Sequence, residues 1–290
     1  MKVLVTGATG FIGRHLVARL VADGHDTHAL LRPMSDATRL PRSVTVHHDA
    51  GPLDALLASV RPEAALHLAT RYQHGHAHGD IAPMLEANIV FGARLADAAA
   101  RCGTRAFVTL GTGAQHAGDG ATPATLYAAS KQAFETVLCA IARSNGLATA
   151  TLIVFDTFGP NDTRGKILDR MIEAARTGTS LALSPGGQAI DLVHVEDVVD
   201  AILHAARGLL DGTIASGSRF ALSSSMPMTL REMADTVTEA LGRPVPAQWG
   251  TLPYRPGEIM MPWRGGAPLP GWQPRRSLEE HLRSLAGGAA

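Results

Sequence analysis

Apolar residues along the chain switch repeatedly between two rhythms. A β-branched run at 2–6 is followed, after a glycine turn, by Leu16, Val17, Leu20 and Val21, spaced to line one face of a helix over 13–23. Short apolar runs at 27–31, 44–48, 64–68, 105–110 and 148–155 predict further strands, and longer stretches at 52–60, 84–102 and 127–145 predict helices. Strands separated by helices pair in parallel through crossovers, so the pattern predicts an α/β fold with a doubly wound parallel sheet.

Past Gly159 and Pro160 the rhythm loosens, with proline and glycine recurring at 185–187, 244–246, 253–257 and 262–271, although 191–204 resumes a strand and a helix. The reading is a first domain over 1–158, to which 188–206 return, and a smaller α+β domain over 159–187 and 207–290 that would bind substrate. With 290 residues, 46% hydrophobic and 18% charged, and a formal net charge of +0, the chain has ample core material and no polyelectrolyte character. Nucleic acid and anionic membrane surfaces are therefore not expected partners. The opening apolar run meets the glycine turn at once and forms no leader, so a soluble cytoplasmic protein is expected. Cys102 and Cys139 fall in helical stretches, which argues against a disulfide or a thiolate metal site.

Chemistry enters at the first turn. Gly7, Gly10 and Gly13, with Phe11 and Ile12 between the last two, stand where a strand becomes a helix. A glycine backbone there lets a pyrophosphate lie against the helix N-terminus, as in a Rossmann domain binding a dinucleotide. An acidic residue at the end of the second strand would hold a ribose 2′-hydroxyl, but the chain reads Leu31, Arg32, Pro33. Arg32 offers a guanidinium suited to a 2′-phosphate, which favours NADP(H). NAD(H) stays open, because Arg32 can stack on either adenine and Asp36 lies close by.

Tyr127 and Lys131 stand four apart, on one face of a predicted helix. A cation beside a phenol lowers its pKa, so Tyr127 is expected to protonate an alkoxide formed by hydride transfer, while Lys131 grips the cofactor ribose. His74, His76 and His78 alternate in a loop, but no carboxylate or thiolate set accompanies them, so no metal is expected. The loop is read as facing substrate or solvent.

The Gly-x-x-Gly-x-x-Gly spacing, together with Tyr127 and Lys131, resembles the extended short-chain dehydrogenases, the NAD-dependent epimerase/dehydratase family. The resemblance continues through His67 to Thr70, Asn88, Gly159 with Pro160, and the segment 191–198. It implies that Thr112 orients the substrate carbonyl, with Thr109 as competitor; that Asp49 and Ala50 lie beside the adenine; and that Leu68, Ala69 and Thr70 border the cofactor. Family dehydratases carry an Asp-Glu pair after the threonine; here Gly113 and Ala114 follow, which disfavours elimination of water. Residues 155–162 look most like nucleotide-sugar 4-ketoreductases of the CDP-abequose synthase kind. The resemblance thus implies NADPH-dependent reduction of a 4-keto-6-deoxyhexose on a nucleotide diphosphate, with Thr112, Asp156, Lys166 and Arg255 touching substrate. It also implies a homodimer through the helices at 84–102 and 127–145. Ile190, Ile153 and Asp156 depart from the Arg, Arg and Asn of many relatives. The alternatives are an epimerase with tightly bound NAD, a reductase of another ketone, and a non-catalytic NADP-binding regulator.

Overall fold

The computed structural model describes residues 1–73, 75–117 and 122–287. Its first half alternates as the periodicity requires: β1 (Lys2–Thr6), α1 (Phe11–Ala22), β2 (Asp26–Leu31), β3 (Thr45–His48), α2 (Leu53–Val60), β4 (Ala64–His67), α3 (Ile81–Leu85), α4 (Phe91–Arg101), β5 (Ala106–Thr112), α5 (Leu126–Asn145) and β6 (Ala148–Val154). There follow β7 (Asp156–Phe158), α6 (Ile167–Thr177), β8 (Leu181–Leu183), β9 (Ala189–Ile190), β10 (Leu192–His194), α7 (Val195–Asp211), β11 (Ser218–Leu222), β12 (Met228–Thr229), α8 (Leu230–Leu241), β13 (Ala247–Trp249), β14 (Ala267–Pro268) and α9 (Leu278–Gly287).

Eight strands form one sheet in the order β14-β11-β6-β5-β4-β1-β2-β3, each neighbouring pair parallel. This is a doubly wound Rossmann-type sheet. Its order reverses between β1 and β4, so the crossovers diverge there and leave a crevice at the strands' carboxyl ends. The strand pleat sorts the core. Val3 and Val5 of β1 pack with α1 and α7 on one face, whereas Leu4 joins α2, α4 and α5 on the other, around the fully buried Phe107 and Phe134. A third apolar cluster gathers Phe158, Met171, Leu183, Met233 and Leu282 from β7, α6, β8, α8 and α9.

The structure revises the sequence reading in three places. The helix expected over 84–102 begins at Ile81 and contains a π-helical turn, Glu86–Val90, between α3 and α4. The strand expected over 105–110 continues to Thr112. Residues 207–290 do not all lie beside the third cluster, because β11 and β14 extend the main sheet next to β6. Both strands are short and poor in β-branched residues, so their pairing partners, not their own composition, make them strands. No helix among the described residues is long and apolar enough to cross a membrane.

Helix α7 links the two parts. Its Asp197, 1% exposed, accepts hydrogen bonds from the backbone N–H groups of Arg275 and Arg276 and from the Arg276 guanidinium, fastening the segment that leads into α9. Removing the carboxylate would leave these donors facing a buried gap. Asp197→Ala is expected to lower unfolding stability by about 2–3 kcal/mol. Urea denaturation measures this, and an unchanged midpoint would mean that the C-terminal segment is held by its apolar contacts alone.

Candidate active site

The crevice opens into a cleft of about 1320 Å³ that runs from the glycine turn past the ends of β4, β5 and β6 to the loops around Arg255. Gly7, Gly10, Phe11, Ile12 and Gly13 line one end with Arg32 and Asp49; Leu68, Ala69 and Thr70 form the floor; Thr112, Tyr127 and Lys131 lie midway; Asp156, Lys166 and Arg255 form the far end. Ala50 is the exception: it is not on the wall, and its N–H is spent on the His48 carbonyl at 2.9 Å in the turn after β3.

Gly10 caps α1 in an extended conformation with no side-chain hydrogen bond, so the first N–H groups of the helix face the cleft. A Cβ on Gly13 would lie 2.0 Å from the Gly7 carbonyl oxygen, so α1 seats directly on the turn only because residue 13 has no side chain. These features fit a dinucleotide pyrophosphate. At the ribose end the Arg32 guanidinium makes no hydrogen bond or ion pair among the described residues, and Ser35 lies beside it on the wall. Asp36, the acid that would favour NAD(H), instead accepts the Thr38 N–H at 2.8 Å.

Tyr127 occupies the first turn of α5, whose cap is Thr125 accepting the Ala128 N–H at 3.1 Å. Burial pushes the Tyr127 phenol up to about 12; a hydrogen bond with Thr70 opposes the shift and Tyr72 adds to it. Burial also pushes the Lys131 ammonium down to about 8, against the raising effect of Glu135. The expected lowering of Tyr127 by Lys131 is therefore not found. The ammonium instead lies 5.9 Å over the Phe134 ring and acts electrostatically on His67. Desolvation of the phenol outweighs a cation aimed elsewhere. His67, pushed down to about 3 by burial and by Lys131, stays neutral at ordinary pH and bonds Thr6 Oγ1 through Nδ1 at 2.8 Å.

Asn88 sits in the π-helical turn, a local widening that brings its buried amide to the cleft floor. Its oxygen accepts from the Arg71 N–H at 2.7 Å and the Thr70 hydroxyl at 3.0 Å, and its nitrogen donates to the Arg71 carbonyl and to Ser130 Oγ of α5. One side chain thus pins the loop after β4 to the helix bearing Tyr127 and Lys131. Thr109 is buried and donates to the His67 carbonyl at 3.2 Å, away from the cleft, whereas Thr112 lines it.

Among the wall residues that sequence reasoning missed are Tyr72, Arg164 and Arg170. Tyr72 is 56% exposed, meets Tyr127 edge to face at 5.0 Å between centroids, and has the Lys166 ammonium 5.0 Å over its ring. That ammonium pairs with Asp156 at 3.1 Å. Arg164 stacks 4.1 Å over Phe11, joining the loop after β7 to the glycine turn. Arg170, one helical turn beyond Lys166 on α6, also faces the cleft; that spacing was the available signal. His76 and His78 are exposed and off the wall, and His74 lies outside the described residues.

A family model for the NAD dependent epimerase/dehydratase family matches residues 3–214. The chain belongs to this family. It is 29% identical to a UDP-glucose 4-epimerase of Mycolicibacterium smegmatis, over 97% of this chain and 96% of that protein. It is 23% identical to a CDP-abequose synthase of Yersinia pseudotuberculosis, over 90% and 92%. Among solved structures, the Thermus thermophilus UDP-glucose 4-epimerase in complex with NAD superposes with a TM-score of 0.82 at 26% identity, covering 100% of both chains. The extended short-chain dehydrogenases are NAD(P)-dependent enzymes of the oxidoreductase type, and this chain is one of them.

In this family member the phenol stays protonated far into alkali, so Lys131 is the group that titrates first as pH rises. Its ammonium loses its proton through about pH 8. The alkaline limb of kcat/KM is expected near pH 8, and Lys131→Arg, which keeps its charge, is expected to move that limb upward. A limb in Lys131→Arg identical to that of the wild type would assign it to another group.

Proposed function

We propose that the enzyme uses NADPH to reduce the 4-keto group of a 4-keto-6-deoxyhexose carried on a nucleotide diphosphate. The observation that carries this reading is the ribose end of the cleft, where Arg32 is free to meet a 2′-phosphate and Asp36 is tied to Thr38. When bound, the nicotinamide supplies a hydride to the sugar carbonyl carbon. The Thr112 hydroxyl would hold the carbonyl oxygen, and Tyr127, protonated at any working pH, would give it the proton that completes the alcohol. Lys131 would hold the ribose. Gly113 and Ala114, which follow Thr112, offer no carboxylate for a dehydration.

At the far end, Asp156 and Lys166 form an acceptor beside a donor, suited to sugar hydroxyls. Arg255 and Arg170 would meet the diphosphate oxygens. We further propose that the substrate lies between the Rossmann part and the third apolar cluster, and that the chain pairs as a homodimer through α4 and α5. The outer face of α5 carries Ala133, Thr136 and Ala140, small side chains that allow close helix approach.

A second reading is a nucleotide-sugar epimerase retaining NAD, favoured by the full-length likeness to the Thermus enzyme. NADPH oxidation with a CDP- or dTDP-linked 4-keto-6-deoxyhexose, followed at the nicotinamide absorbance, separates the two. Turnover is expected, and Tyr127→Phe is expected to cut kcat by about 10²- to 10⁴-fold. No turnover, with NAD carried through purification and UDP-glucose interconverted with UDP-galactose, would replace the reductase by the epimerase. Arg32→Ala is expected to raise the KM for NADPH about tenfold or more while leaving that for NADH little changed; equal effects on both cofactors would remove the basis for NADP.

A further inference from the structure

Between the strand end that carries Thr112 and the helix that carries Tyr127 and Lys131 lies a polar bridge with no place in the chemistry described so far. Gln115 follows Thr112 in the short turn Gly113–His116 and is wholly buried. Its side-chain oxygen accepts the Thr112 N–H at 2.7 Å, and its side-chain nitrogen donates to Glu135 Oε1 at 2.8 Å. Only one orientation of the amide satisfies both partners, since an N–H must meet the oxygen and a carboxylate the nitrogen. Glu135, itself buried, stands on the same face of α5 as Lys131, one turn further on, and its other oxygen meets Arg219 Nε of β11 at 2.9 Å.

We propose that Gln115 and Glu135 are positioning residues that set the Thr112 hydroxyl relative to the Tyr127 and Lys131 face of α5. The inference rests on the reading of Thr112 as the group that holds the carbonyl oxygen.

A glutamine reaching back to the N–H of its own turn is by itself an ordinary helix-cap arrangement. Two observations take this one further. First, the far end of the amide is spent on a carboxylate of the catalytic helix, so the turn and the helix cannot shift independently without exposing a buried donor or acceptor. Second, the strand makes room for the bridge: a Cβ on Gly111 would lie 2.7 Å from Glu135 Oε1 and 2.8 Å from Gln115 Oε1. Gly111 thus leaves room for the amide and the carboxylate to meet, and for Ile153 Cδ1, which would lie 2.4 Å from the same Cβ. The same carboxylate raises Lys131 against its burial, so one group holds the hydroxyl in register and sustains the ammonium. Arg219 carries the network outward, its Nη2 lying 3.1 Å from His116 Nε2; His116 stacks at 4.0 Å on Trp263, a residue of the cleft wall.

The test compares Gln115→Met, which keeps the volume and loses both hydrogen bonds, with Thr112→Val and Glu135→Gln. Each is assayed in whichever hydride-transfer reaction the wild type performs, ketone reduction or UDP-glucose epimerisation, because both need the C4 oxygen held. Gln115→Met is expected to lower kcat about 10- to 100-fold with the cofactor KM unchanged. Hydrogen exchange of the Thr112 amide is expected to quicken in the same variant, a readout that needs no substrate. Glu135→Gln is expected to move the alkaline limb of kcat/KM to lower pH, because the group that raises Lys131 is gone; a purely structural role would leave the limb in place. If Thr112→Val is impaired while Gln115→Met keeps its kcat and its amide protection, the positioning role is overturned and the reading of Thr112 stands. If Thr112→Val is itself unimpaired, both fall together.

Discussion

The divergence of the chain on either side of β1 and β4 is the constraint on which the site depends. Parallel strands need crossovers, and the crossovers leading to β2 and to β5 run in opposite directions, so no helix covers the gap between them. That gap receives the N-terminus of α1, the loop after β4 and the end of β5. Each group on the cleft wall then arrives by a short tether: the glycine turn from β1, Thr70 and Tyr72 from β4, Thr112 from β5 and Asp156 just after β6. The helix bearing Tyr127 and Lys131 enters from the side and must be registered to these strand ends by side-chain contacts. Asn88 does this from the floor through Ser130, and the Gln115–Glu135 bridge from the strand end.

Burial decides the electrostatics of this arrangement. Desolvation moves phenol and ammonium toward their neutral forms, up to about 12 for Tyr127 and down to about 8 for Lys131. For a reduction these shifts are compatible, since the phenol must hold a proton to give and the ammonium remains charged near neutral pH. Glu135 limits the second shift. Without a buried carboxylate one turn along α5, the same desolvation would carry Lys131 further toward neutrality, where it could no longer serve as a cation.

Much of this was legible in the sequence because it is local. Leu16, Val17, Leu20 and Val21 announce α1, the glycines announce its close seat on β1, and Tyr127 and Lys131 announce a shared face through their spacing alone. What stayed hidden depends on residues far apart in the chain. Strands β11 and β14 are strands because β6 offers an edge, and Glu135 matters because β5 brings Gln115 to it across twenty positions. Nothing in the local sequence marks Tyr72, whose edge meets Tyr127 and whose face Lys166 covers. The misjudged tyrosine pKa has the same origin: spacing tells which side chains share a face, but not how deeply that face is buried or where the ammonium points.

On the proposed roles, reductase and epimerase would make the same demand on Thr112, Tyr127 and Lys131, because both reactions pass through a sugar carbonyl at the reacting carbon. They differ in what they ask of the rest of the cleft. An epimerase must keep its cofactor between two opposite transfers, which calls for enclosure, whereas a reductase must release it after one. Arg32 is exposed at the rim, and a contact between an exposed guanidinium and a phosphate is screened by salt and readily broken. The loop after β7 leans toward enclosure at the glycine turn, since Arg164 covers Phe11 and Arg14 reaches the Asn161 carbonyl at 3.2 Å. These contacts bind the loop after β7 to the glycine turn and α1 without involving Arg32. On the proposed reading, a dinucleotide would be held at its middle and left accessible at its adenine end, which matches exchange on each turnover better than permanent retention.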